Sequence, residues 1–200
     1  MSERIRAIIA GYDLQAEGEV RREARSGETT DYPILPPNAG DGVYRAPLIL
    51  FLDAFVKTHH LGRVLSDGTG FTLDDSGATV VPDIAFVSFE RLAAEAYLDR
   101  VLSISPDLAV DRIGEGDSAE ALHGRVMRYL NHGASQVWLI AMRPREVLVF
   151  TPEDRDGTTV TLEGSLAGRG PLDGFNVPLR AIFEEDKVRQ IEVLRRLLNP

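Results

Sequence analysis

The chain alternates short apolar runs of strand character with longer stretches of helical spacing. Leu48, Leu52, Phe55 and Val56 fall at i, i+4, i+7 and i+8. That spacing predicts a helix with one buried face, with Pro47 in its first turn and His59-His60-Leu61-Gly62 at its end. Arg63-Val64-Leu65 and Gly70-Phe71-Thr72-Leu73 read as strands around Asp67-Gly68. Val80 to Val87 reads as a strand with Pro82 near its start, where a missing N–H is tolerated. Leu108 to Ile113 is an apolar strand interrupted by Asp111. Leu122, Val126, Tyr129 and Leu130 mark the apolar face of a second helix, with Asp117 and Glu120 as a capping-box-like pair before it and Gly133 closing it.

Beyond Gly133, Gln136 to Ala141 and Val147 to Phe150 read as strands around a turn at Arg143-Pro144-Arg145, and Thr158 to Leu162 as a further strand. Glu184 to Leu198 reads as a terminal helix, acids leading and Arg195 and Arg196 closing it. Its apolar stripe is Val188, Ile191, Leu194, Leu197 and Leu198. Glu17 to Glu28 is so rich in charge that it predicts a solvated helix or a mobile segment, and Pro33, Pro36, Pro37, Gly40 and Gly42 predict a loop after it. The sum is an α/β protein of α+β layout, a mixed and mostly antiparallel sheet flanked by helices.

Length and charge narrow the function. At 200 residues, 44% hydrophobic and 26% charged, the chain has ordinary globular composition for one domain with short appendages. The absence of cysteine excludes disulfides, thiolate zinc sites, iron–sulfur clusters and cysteine nucleophiles. A net charge of −9 gives no global basic field. DNA would therefore have to meet a local basic patch, for which Arg112, Arg125, Arg128, Arg143 and Arg145 are the candidates. The apolar run near Met1 is too short for a signal peptide, and Ala46 to Val56 is broken by Asp53. The expectation is a cytoplasmic protein with no membrane contact.

Most familiar catalytic motifs are absent: there is no Walker-A loop, G-x-S-x-G elbow or H-E-x-x-H. Pro152 to Glu163 imitates a calcium loop, but Pro152 cannot ligate through its side chain, and a turn at Asp156-Gly157 is the better reading. His59, His60, His123 and His132 lack metal-binding spacing, and Trp138 and Tyr129 read as core. The unusual feature is a pair of acids inside apolar strands, Asp83 and Asp111. Burying an unpaired carboxylate costs several kcal/mol, roughly, so each needs a partner. Either the two converge as a hard-cation site suited to Mg²⁺, or each is a strand-end acid that caps a turn or pairs with Arg112 or Arg125.

Read in order, Val81-Pro82-Asp83-Ile84-Ala85-Phe86-Val87, Ser105-Pro106-Asp107-Leu108-Ala109-Val110-Asp111, Arg125 with Tyr129 and Gly133, and Val137-Trp138-Leu139-Ile140 form one pattern. It resembles that of the Uma-type restriction endonucleases, a bacterial family of the PD-(D/E)XK nuclease superfamily. Gly170 to Leu179 resembles that family's closing strand. The resemblance implies a restriction-endonuclease-like core over residues 42–183, between an N-terminal extension, 1–41, and a C-terminal helix, 184–200. It implies a metal-dependent DNA endonuclease, a hydrolase using Mg²⁺ or Mn²⁺, with Asp83 and Asp111 as metal ligands and Arg125 as third catalytic residue.

Two positions depart from the family pattern. Asp111 stands where the family has glutamate, a carboxylate displaced by about 1.5 Å. Arg125 stands where the family has lysine, and arginine stays protonated, so it clamps a phosphate rather than acting as a base. The alternative is a catalytically inactive nuclease-fold domain that binds or dimerises. A homodimer would use the 184–198 helix, where Ile191, Leu194 and Leu198 fit an a/d/a spacing.

Overall fold

In the computed structural model, residues 39–66, 68–73, 79–93, 101–114 and 117–199 are described, with the strands at 19–25 and 28–34 and residues 3, 6 and 7. The elements run β1 (Glu19–Arg25), β2 (Glu28–Ile34), α1 (Ala39–Thr58), β3 (Gly62–Ser66), β4 (Phe71–Thr72), β5 (Thr79–Val80), β6 (Ile84–Ser88), α2 (Phe89–Leu92) and β7 (Leu108–Arg112). After these come α3 (Ala119–Asn131), β8 (Gln136–Ala141), β9 (Glu146–Phe150), β10 (Thr158–Val160), β11 (Ser165–Ala167), β12 (Asn176–Pro178), α4 (Leu179–Phe183) and α5 (Lys187–Leu197).

Six strands form the central sheet in the order β10-β9-β8-β7-β6-β3. Every neighbouring pair is antiparallel except β7 and β8, which are joined by the crossover helix α3 and run parallel. The layout is the mixed, mostly antiparallel one expected. β6 and β8 are buried along their whole length because both faces of the sheet are covered. Ile84, Phe86, Val110, Trp138 and Ile140 point to the face packed by α1, α4 and α5. Ala85, Val87, Ala109, Val137 and Leu139 point to the face packed by α3. Odd and even positions thus divide cleanly between two cores.

Two glycines are required by close approach or conformation. A Cβ at Gly62 would lie 2.1 Å from the Val87 carbonyl oxygen, so only glycine lets β3 lie against β6 there. Gly133 has φ +94° and turns the chain out of α3, the terminating role its position predicted.

Several local expectations are corrected. The charged stretch after Glu17 forms an antiparallel hairpin, not a helix: its register sets Arg22 opposite Asp31 and Arg25 opposite Glu28. Pro33 belongs to β2, and Gly40 and Gly42 lie within α1, which starts at Ala39 and carries Pro47 in its interior rather than its first turn. The strand expected over Val80 to Val87 is two, β5 and β6, divided at Pro82, which cannot donate to a ladder. Ser118, not Asp117, caps α3, its hydroxyl accepting the Ala121 N–H.

At Asp154 the carboxylate accepts the Gly157 N–H and the Thr158 hydroxyl, so this loop is a side-chain-braced turn and not a calcium loop. The terminal helix begins only at Lys187, capped by Asp186, and a separate short helix precedes it. It docks through Val193 and Leu197, 5% and 4% exposed, while Val188 and Ile191 stay 68% and 49% exposed. The buried line is therefore rotated from the stripe expected, because Val193 faces the core and Val188 and Ile191 do not. No helix among the described residues is long and apolar enough to cross a membrane.

Candidate functional site

Asp83 sits immediately before β6 and Asp111 near the end of β7. The antiparallel pairing of β6 with β7 ends at Ile84↔Val110, and Asp83 and Asp111 are the next residues beyond it. The backbone N–H of Asp83 donates to the Asp111 carboxylate, which brings the two residues side by side. The strand pairing thus places both acids at one end of the sheet.

The third residue, Arg125, projects from the first half of α3. Because α3 leaves the end of β7 at which Asp111 lies, its first turns stand beside the acid pair. Arg125 Nη1 lies 3.6 Å from Asp111 Oδ2, and its Nη2 lies 3.6 Å from Asp117 Oδ1. Asp117 is held in turn by the Gly114 N–H, 2.7 Å from its Oδ2. Arg112, next to Asp111 on β7, stabilises the Asp117 carboxylate as well.

Two residues absent from the sequence reading complete the site. Tyr44 and Arg45, at the start of α1, both reach Asp83. The Tyr44 hydroxyl donates to Asp83 Oδ2 at 2.7 Å, and Arg45 Nη2 contacts Asp83 Oδ1 at 2.5 Å. Arg45 Nε also donates to the Tyr44 oxygen at 3.2 Å. The one trace of this in the sequence is that Tyr44 lies four residues before Leu48, on the buried stripe of the helix. Burial, with the Asp83 charge adding to it, pushes the Tyr44 phenol well above its ordinary pKa, so it remains a donor.

The cluster is half-buried around one fully buried carboxylate, Asp111. Burial raises the Asp111 pKa to about 6, with the Asp83 charge adding and Arg125 and the Asp83 N–H opposing. Burial raises the Asp117 pKa too, against Arg125. Among the described residues, the carboxylates of Asp83, Asp111 and Asp117 interact with the guanidiniums of Arg45, Arg125 and Arg112.

A raised carboxyl pKa has a defined sign. The stability it brings is complete below the unfolded-state pKa and is lost as pH rises through the folded value. Urea unfolding should show wild type losing on the order of 2–3 kcal/mol relative to Asp111→Asn between about pH 4 and pH 6. Parallel curves for the two proteins across that window would refute the assignment.

The family pattern implies a divalent ion held by Asp83 and Asp111. Mg²⁺ takes oxygen ligands in near-octahedral array. Both Asp83 oxygens already accept, from Tyr44 and Arg45. Asp111 gives one oxygen to the Asp83 N–H and turns the other, Oδ2, toward Arg125. No group of three acids or histidines arranged to hold a metal occurs among the described residues. As the side chains stand, the cluster does not fit a dication, which would face guanidiniums that never deprotonate.

The remaining candidates divide. Arg143 and Arg145 lie exposed in the turn after β8, at the sheet end where Arg112 and the acids stand, since β7 and β8 run parallel. Arg128 follows nearly a turn further along α3, away from that end. Of the histidines, His59 stacks on Phe55 with centroids 4.4 Å apart and His132 turns to the Arg128 carbonyl oxygen. Asp107, within the quoted family pattern, is not part of the acid pair: it accepts the Ser88 N–H and Arg91 Nε, both at 2.7 Å.

This fold is a mixed sheet with an acid pair at one end of neighbouring strands and a basic residue on the crossover helix that follows. A solved structure described as "a putative nuclease belonging to DUF820 from Anabaena variabilis" matches it with a TM-score of 0.69 and 18% sequence identity, covering 81% of this chain and 89% of that one. The family model Uma2, described as "Putative restriction endonuclease", matches residues 12–178, and the chain belongs to that family. No curated protein matches significantly.

Proposed function

We propose that this chain is a DNA-directed, nuclease-fold domain whose phosphodiester hydrolysis is impaired. The observation that carries the reading is the pairing of the acids: Arg45 stands against Asp83 and Arg125 against Asp111. Restriction-endonuclease-like families generally use divalent metals. A guanidinium holds phosphate oxygens in a fork but cannot take a proton from water. Arg143 and Arg145, exposed at the same sheet end, are the side chains by which a chain of net charge −9 would meet a phosphate backbone.

A second reading, an active metal-dependent DNA endonuclease, is favoured by one observation. Asp111 Oδ2 is buried and accepts no hydrogen bond among the described residues, the condition of an oxygen awaiting a ligand.

One pair of measurements decides between them. Fluorescence anisotropy with a labelled duplex in EDTA should show weak binding that falls steeply as salt rises from about 50 to 200 mM. Incubation of the same duplex with Mg²⁺ or Mn²⁺ should give no cleavage above the blank. Cleavage that needs the metal and disappears in Asp83→Asn would reject the first reading in favour of the second. Binding indifferent to salt would reject the DNA-directed part of both.

A further inference from the structure

Arg45 belongs to no pattern that pointed to this site, yet it makes the closest charged contact in it. Its guanidinium meets Asp83 Oδ1, and the Tyr44 hydroxyl fills the other oxygen. Arg125 stands correspondingly against Asp111. Each member of the acid pair therefore has its own guanidinium, delivered from a different helix on the opposite face of the sheet. We propose that Arg45 and Arg125 act together as built-in cations that replace the divalent ion, closing the Asp83–Asp111 pair to Mg²⁺ and Mn²⁺.

Three features support this beyond the substitution of a single lysine. Arg45 reaches the acid pair from α1, on the other side of the sheet from α3, so the closure does not depend on position 125 alone. Both acids have their oxygens engaged or faced by a cation, although the Asp83 side chain stays 20% exposed. Asp83 is engaged at both oxygens, and Asp111 is only 6% exposed at its side chain, with Arg125 in front of its remaining oxygen. The third acid, Asp117, is equally committed, to Arg125 and the Gly114 N–H, and so is not a spare ligand. A guanidinium stays protonated across the pH range in which the fold survives, so raising the pH does not remove either cation. A dication entering the pair must displace at least one arginine or sit beside two of them.

This inference rests on the reading of the site as impaired for hydrolysis, and it is tested without nucleic acid, so that the two fail separately. Mn²⁺ binding is followed by loss of the free-ion electron paramagnetic resonance signal on titrating the full-length protein. Wild type should show no saturable binding at Asp83. Arg45→Ala combined with Arg125→Lys should bind Mn²⁺ about tenfold more tightly or better. Adding Asp83→Asn to that variant should remove the gain. Circular dichroism establishes that each protein is folded. Should the double variant fail to fold, Arg45→Ala alone carries the comparison, and a gain in binding is again expected. Saturable binding by wild type that Asp83→Asn abolishes would overturn the proposal, as would a folded variant with its arginines removed that binds no better than wild type.

Discussion

Replacing Asp107 with alanine should destabilise the domain by about 3–5 kcal/mol, the cost of leaving a buried charge and its partners unpaired. Asp107 is only 3% exposed, yet no catalytic role attaches to it. One oxygen accepts the Ser88 N–H at the junction of β6 and α2, and the other holds Arg91 Nε. Arg91 then donates to the Ser105 carbonyl oxygen at 3.0 Å and to that of Gly133 beyond α3. One carboxylate thus ties α2, the entry to β7 and the exit of α3 together. Alanine strands the Ser88 N–H and Arg91 at once. Asparagine, which keeps an acceptor, should cost less than alanine. Equilibrium urea unfolding of the two variants beside wild type measures this, and an alanine variant within about 1 kcal/mol of wild type would refute the assignment.

Trp138→Ala should cost a comparable amount, about 3–5 kcal/mol. Trp138 is fully buried at the middle of β8, and its ring lies 6.2 Å from Phe175, which itself meets Phe55 at 5.6 Å edge to face. This chain of rings joins the sheet to β12 and α1, so deletion opens a cavity that several elements must share. The indole N–H has no hydrogen-bond partner among the described residues. Trp138→Phe therefore loses volume but relieves an unsatisfied donor, and should cost far less than alanine. As Trp138 is the one tryptophan in the sequence, far-ultraviolet circular dichroism must follow the unfolding. Equal destabilisation by alanine and phenylalanine would contradict this account.

What could be read from the sequence follows from how local each signal is. Asp83 and Asp111 stood out because a charge within an apolar strand is improbable without a partner. Arg125 could be placed because Leu122, Val126 and Tyr129 set the phase of α3. Tyr44 and Arg45 could not, because their contact with Asp83 spans 39 and 38 residues of chain and depends on how α1 docks. The hairpin at 19–34 was missed for a related reason. Neither of its strand sequences alternates apolar and polar residues regularly, so no strand period marks them. The terminal helix shows the same limit in reverse: its helicity was plain, but which of its apolar residues meet the core is decided by α1 and α4, not by the stripe itself.

The division of the site between two regions of the chain has a consequence for motion. Asp111, Asp117 and Arg125 lie in one stretch from β7 to the start of α3. Arg45 and Tyr44 reach Asp83 from α1, 38 and 39 residues earlier in the chain. A fluctuation that lifts the start of α1 from the sheet end would expose Asp83 while Arg125 still stands against Asp111. The two halves of the site are thus opened by separate motions of the chain.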